Sequence, residues 1–299
     1  MYVENICPDF LAFWERAQAC PIEEQRHLWH ALYEDQHQDV FDVYYRTWGD
    51  PQRLDAALGH FPTAAPAIRA RLPAIESSIG RMTPRCAALF GLRDDDVRYL
   101  LMVGLFMSNA WATFLRGRAT CFVAAEIEAT ARGLDITVAH EAAHAFHSRR
   151  TEIDLNTTAV GAGLFLEGMA VLASGVAVPE ASEASLLWFD GERTPQGQSP
   201  HEWVAACERQ WPILRRHLLD NLDATDEVRF AGYFYASEAR RLEGVPMRAG
   251  YFAGYRIARL LSRSVPVADM AGWPVERGVR EVRAVLDQAR ECPTGGRDA

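Results

Sequence analysis

Two histidines and a glutamate set the chemistry this sequence can do. In Ile136-Thr-Val-Ala-His140-Glu141-Ala-Ala-His144-Ala-Phe146 the order is His-Glu-x-x-His, and Glu141 is the only charged residue between Ile136 and Phe146. On an α-helix, residues four apart stand on one face, so His140 and His144 can direct their rings at one cation. Glu141 lies about 100° round the helix from His140, near enough to handle a water on that cation without binding it. A catalytic zinc needs a third protein ligand and an open position. Glu167 is the candidate. It sits in Leu164-Phe-Leu-Glu167-Gly-Met-Ala-Val-Leu-Ala-Ser174, an almost wholly apolar run in which a carboxylate is expensive to bury unless it is paired or metal-bound. The chemistry these four residues imply is hydrolysis by a zinc-activated water, with Glu141 as general base.

Strands and helices must hold these residues in place. Val97 to Gly104 and Ala119 to Glu128 are short runs rich in strand formers, and each predicts a strand just before the motif helix. In the second, Cys121, Val123, Ala125 and Ile127 share one face, with Glu126 and Glu128 on the other. Asn109 to Phe114 reads as the hairpin-like connection between the two strands. An edge strand beside the motif helix would bind an extended peptide by backbone pairing. Upstream, helices are expected over Phe10–Ala17, from Pro21 to about Arg46, and over Ala64–Ile79 with an interruption at Pro73. Downstream, Pro179 to Pro200 reads as a loop or short helix. Further helices follow over His201–Leu222 with a break at Pro212, through Phe230–Tyr235, from near Met247 to Leu261, and over Val275–Ala289. Val160-Gly-Ala-Gly163 lacks the third glycine and the βαβ setting of a phosphate cradle. His27, His30 and His37 lack a matching ligand set and read as structural.

Composition narrows the classes. The 299 residues are 49% hydrophobic and 24% charged, ordinary values for a globular chain. The net charge of −9, with arginine supplying all 31 basic residues, argues against a nucleic-acid surface. The six cysteines are scattered without a C-x-x-C pair, and neither a secretory leader nor an 18-residue apolar span is legible. The expectation is a cytoplasmic protein without a membrane span.

His-Glu-x-x-His followed by Glu167-Gly-Met-Ala170 on a second helix resembles the gluzincin metallopeptidases. More narrowly, with Gly250-Tyr251-Phe-Ala-Gly254-Tyr255 downstream, the chain is similar to a bacterial family of predicted Zn-dependent proteases. The resemblance covers about residues 85–290. It implies Zn2+ bound by His140, His144 and Glu167, Glu141 as general base, and a peptide or small-protein substrate. Tyr251, and after it Tyr255, is the expected donor to the oxyanion. The fold implied is α+β and predominantly helical, zincin-like, with a small sheet beside the active-site helix. The expected domains are an N-terminal helical cap over 1–84, a catalytic domain over 85–290 and a flexible tail over 291–299. His147 and Arg150 stand where a metzincin needs glycine and histidine. Val171 stands where many gluzincins carry an acid that orients a zinc histidine, so Glu126, Glu128, Asp135 or a backbone carbonyl is expected to do so here. His147 reads as a neighbour of the ligands. Two other readings stay open: a zinc-dependent amide or ester hydrolase acting on a non-peptide metabolite, and a catalytically idle zinc-binding regulator. Substrate identity and oligomeric state are not legible.

Overall fold

A computed structural model describes residues 1–126, 128–153 and 156–288; Ile127 and the expected tail lie outside them. The architecture is α+β and predominantly helical, with one small sheet. The described residues form two compact units, one drawn from 1–88 and 92–149, the other from 89–91 and 150–288.

The first unit holds β1 (Tyr2–Asn5), α1 (Cys7–Ala17), α2 (Ile22–Trp29), α3 (Gln38–Thr47), nearly all of α4 (Leu54–Phe90), β2 (Arg98–Met102), β3 (Ala110–Leu115), β4 (Arg118–Ala124) and nearly all of α5 (Ala131–Thr151). The sheet order is β1-β2-β4-β3, with β1, β2 and β4 parallel and β3 antiparallel to β4. The N-terminal segment thus contributes a strand to the sheet. The stretch expected as a hairpin-like connection is itself an edge strand. It pairs because Trp111 lies opposite Phe122 with the rings stacked at 4.8 Å, and Tyr44 stacks on Trp111 at 5.4 Å. An aromatic cluster that includes Phe10, Trp29, Tyr33 and Phe61 fills the core behind α1 and α2.

Two helical expectations are corrected. The helix expected from Pro21 to Arg46 is interrupted by a π turn at His30–Glu34 and a 3-10 turn at Asp35–His37. Here the Tyr33 hydroxyl accepts from the Val103 amide at 2.8 Å and donates to its carbonyl at 3.1 Å. Conversely, α4 runs 37 residues without a break through Pro62, Pro66, Pro73 and Pro84. All four prolines are exposed, while Phe61, Ile68, Ile75, Ile79 and Met82 point inward. On the solvent side of a long helix, hydrogen bonds are already lengthened by curvature, so a missing amide costs least there.

The second unit holds α6 (Val160–Ala177), α7 (Glu183–Trp188), α8 (Pro200–Asn221), α9 (Glu227–Phe234), α10 (Ala249–Leu261), α11 (Val267–Met270) and α12 (Val275–Gln288). Pro212 does not break α8, again because it lies on the exposed face. Among the described residues α6 is the one helix long and apolar enough to cross a membrane, yet 78% of it is buried inside the protein. It packs mainly against α10. There the backbones touch: a Cβ at Gly168 would lie 2.3 Å from the Gly254 carbonyl oxygen, and one at Gly254 would lie 2.5 Å from that of Leu164. The glycines of Glu-Gly-x-Ala and Gly-Tyr-x-x-Gly-Tyr are therefore the two sides of one helix crossing. Gly254→Ala should force the helices apart and cost about 1–3 kcal/mol, read as a lower urea midpoint; an unchanged midpoint would show that the crossing yields freely.

Candidate metal centre

Helix α5 starts where the Thr130 hydroxyl accepts the Gly133 amide at 2.9 Å, a side-chain cap on an otherwise orphan donor. It is seated by α4: Ser78 and Arg81 both donate to Asp135, at 2.6 and 2.7 Å, and the Cys86 thiol meets the Ala139 carbonyl. On this helix the Nε2 atoms of His140 and His144 stand 3.2 Å apart, with the rings at 79°. Two zinc–nitrogen bonds of 2.0–2.1 Å at a tetrahedral angle span about 3.3 Å, so the pair fits two corners of a zinc site. His140 is buried and His144 is half-buried, so the pair is more open at His144. Glu141, only 8% exposed, acts on the Cys121 thiol of β4. Burial first, and that carboxylate second, push the thiol well above its usual range. His147 is buried one turn on.

In the second unit, Glu167 is half-buried in α6, while every other residue from Val160 to Ser174 is buried. The burial cost expected from the sequence is thus real. Arg248 answers part of it. Burial pulls its guanidinium below the usual range, against the attraction of Tyr251 and Glu167, and its side chain hydrogen-bonds Tyr251. The guanidinium carbon lies 4.3 Å from the Tyr251 ring centroid, 4.8 Å from that of Trp188 and 5.2 Å from that of Phe189. Tyr235 also feels the Glu167 charge, though its own burial is the main cause of its raised pKa. Tyr255 is placed elsewhere on α10, its hydroxyl near Gly175 and its ring under Arg259. Gly175 is eight residues beyond Glu167, about 12 Å along the helix.

Arg248 and Tyr235 are absent from a reading of the motifs. Arg248 did leave a signal, because a cation at the start of a helix opposes the helix dipole and needs a local reason. It sits at the N-cap of α10 with φ +59°, a left-handed conformation that non-glycine residues adopt at a cost.

His140 and His144 of the first unit and Glu167 of the second are all residues of metal-ligating type. The acids expected to orient the zinc histidines are engaged elsewhere. Asp135 takes Ser78 and Arg81; Glu128 is exposed and faces Arg71 at 3.7 Å. Glu126 accepts the amides of Gly104 and Phe106 on Oε1, at 2.9 and 3.3 Å. It serves the backbone leaving β2, because a chain that turns away from a buried sheet must find partners for its amides.

Burial pushes the Glu126 carboxyl up from 4.5 to about 7, against the opposing hydrogen bonds and Arg71. A raised folded-state pKa contributes stability below the unfolded value and loses it as pH rises through the folded one. Wild type should therefore lose about 3 kcal/mol relative to Glu126→Gln between pH 4.5 and pH 8, measured by urea unfolding. Parallel pH profiles for the two proteins would refute the assignment.

A family model described as a predicted Zn-dependent protease (DUF2268) matches residues 112–266, just over half of the chain. The match bears out the motif-based resemblance and carries an implication of zinc dependence. No curated protein and no solved structure matches the chain significantly.

Proposed function

The chain belongs to this family of predicted Zn-dependent proteases, and we propose that it is a zinc metallopeptidase that hydrolyses peptide bonds with Glu141 as general base. The observation that carries the reading is the histidine pair, two imidazole nitrogens 3.2 Å apart on a buried helix turn that also carries Glu141. A purely structural metal site has no need of that base.

His140, His144 and Glu167 are the proposed ligands, which leaves a fourth position for water or substrate. Zinc bound there would acidify a water to a pKa near 7 and polarise the scissile carbonyl. Glu141 takes the water proton and returns it to the leaving amine. Its burial suits this work, because it keeps bulk water away from the proton that Glu141 handles. Tyr251 donates its hydroxyl proton toward the oxyanion, with Arg248 holding the ring by stacking and by their hydrogen bond. Tyr251 is preferred over Tyr255 because Arg248 links it to Glu167. A peptide, rather than a small metabolite, is favoured by β3, an antiparallel edge strand whose outer side can pair with an extended chain. A cytoplasmic location is part of the proposal. The described cysteines, Cys7, Cys20, Cys86, Cys121 and Cys207, are all free thiols, as a reducing compartment would keep them.

Glu141→Gln should keep its zinc and lose peptide hydrolysis by about 10²–10⁴-fold, followed by metal analysis and turnover of a peptide library. Unchanged turnover would sink the mechanism. Glu167→Ala should purify with little zinc, and full occupancy would remove Glu167 from the ligand set. Tyr251→Phe should lower kcat by about 10²-fold with little change in KM. Arg248→Lys, which keeps the charge but loses the planar stack, should fall between that variant and wild type. A deficit carried by Tyr235→Phe instead would move the donor role there.

A further inference from the structure

The second unit holds a cation whose charge its surroundings match only in part. Arg248, at the start of α10, is 8% exposed. Its faces are taken: the ring centroids of Tyr251, Trp188 and Phe189 lie 4.3, 4.8 and 5.2 Å from the guanidinium carbon. Stacking of this kind uses the faces of a guanidinium and none of its N–H donors, which form a fork in the plane. Tyr251 takes a hydrogen bond from that fork. Among the described residues no carboxylate forms an ion pair with the rest of it, and Glu167 attracts the group only through space. These attractions do not make up for burial, which is the larger influence on the guanidinium.

The donors left over are not walled in. No nitrogen of Arg248 is both sealed from solvent and without a partner, as Trp188 Nε1 beside it is, so the donors that Tyr251 does not take are reached by solvent. An open guanidinium edge in apolar surroundings suits a planar anion, because two carboxylate oxygens match the fork and an apolar setting strengthens the attraction. The anion that fits carries one charge. Glu167 already places a negative charge nearby, so a dianion such as a phosphate monoester would bring more negative charge than one guanidinium balances.

We propose that Arg248 is a specificity-determining residue that takes a carboxylate of the substrate, either the free C-terminus of a peptide or an Asp or Glu side chain close to the scissile bond. Tyr251, the proposed oxyanion donor, is the hydrogen-bond partner of Arg248, so a carboxylate on the guanidinium edge lies near the reacting carbonyl. That the carboxylate belongs to a substrate rests on the peptidase reading; the anion site in the second unit does not.

Phenylacetate and phenylacetamide share a body, contain no peptide bond and differ in charge, so they serve as probes. Their binding to the full chain is measured by calorimetry, before and after zinc is removed with phenanthroline. Phenylacetate should bind about tenfold more tightly than the amide. The preference should survive removal of the metal, whereas a carboxylate seated on zinc would lose it. Arg248→Met, which fills the space between the rings without charge, should bind both probes alike. Arg248→Lys keeps the charge and loses the fork, so it should retain part of the preference; it serves as the test if the methionine variant fails to fold. Peptides paired as free acid and C-terminal amide, and as Glu and Gln at each position, then identify the carboxylate. One such pair should differ about tenfold in KM in wild type and not in Arg248→Met, whereas lost positioning of Tyr251 would lower kcat for both members equally. Equal binding of the two probes by wild type would overturn the proposal. So would a preference that phenanthroline removes or that Arg248→Met retains. Peptide hydrolysis with no preference for an acid would overturn it and leave the peptidase reading standing. An Arg248-dependent preference for phenylacetate, with no peptide hydrolysed, would keep the anion site and end that reading.

Discussion

The cost of taking charge out of water organises this protein. Glu141 on α5, Glu167 on α6 and Arg248 at the start of α10 all sit among apolar side chains. An isolated ionised group in such surroundings is unstable by several kcal/mol. Each must therefore be compensated by a partner, by hydrogen bonds or by a bound cation, and each is held where compensation is available. Arg248 shows how this is done without water. Three aromatic faces surround its guanidinium, and Tyr251 takes a hydrogen bond from it. Fixing the guanidinium fixes the tyrosine, so the electrostatic solution for one residue becomes the positioning device for another.

The same constraint acts on the backbone where the chain leaves β2. From Val103 to Phe106 it turns away from the sheet, and its amides would be orphaned in a buried region. Tyr33 serves Val103, Tyr44 serves Leu105, and Glu126 serves Gly104 and Phe106. Two of these side chains come from the N-terminal helical region, one from the π turn and one from α3. That region also gives the sheet its first strand, so it is woven into the body that carries α5. Glycine at position 104 is required by the crowding of Tyr44 and Glu126 around one backbone atom.

Helix crossing sets the geometry of the second unit. Gly168 and Gly254 let α6 and α10 approach until their backbones are in contact. With the crossing fixed there, the residue before Gly168 is Glu167, and three residues before Gly254 is Tyr251. Close packing thus carries both into the neighbourhood of Arg248 while sending Tyr255, four residues further along α10, toward Gly175.

His-Glu-x-x-His spacing, Glu167 alone in an apolar run and the broad α+β class were all legible in the sequence, because each depends on local periodicity or on the intrinsic cost of burying a charge. Tertiary structure decided the rest. The edge strand β3 forms because Trp111 finds Phe122, a partner across the sheet. The prolines of α4 are tolerated because all four face solvent, which no local pattern fixes. Glu126 looked like a helper of the zinc histidines and instead supports Gly104, since twenty-two residues of chain separate two groups that only the fold brings together. Arg248 belongs to the same class: its three aromatic neighbours come from two helices and a turn, and only their packing makes a buried guanidinium stable. The sequence by itself determined which atoms are available for the chemistry, because residue type and helical spacing are local properties. The surroundings that tune those atoms were decided by tertiary structure, because desolvation and long-range hydrogen bonds exist only once the chain has closed around them.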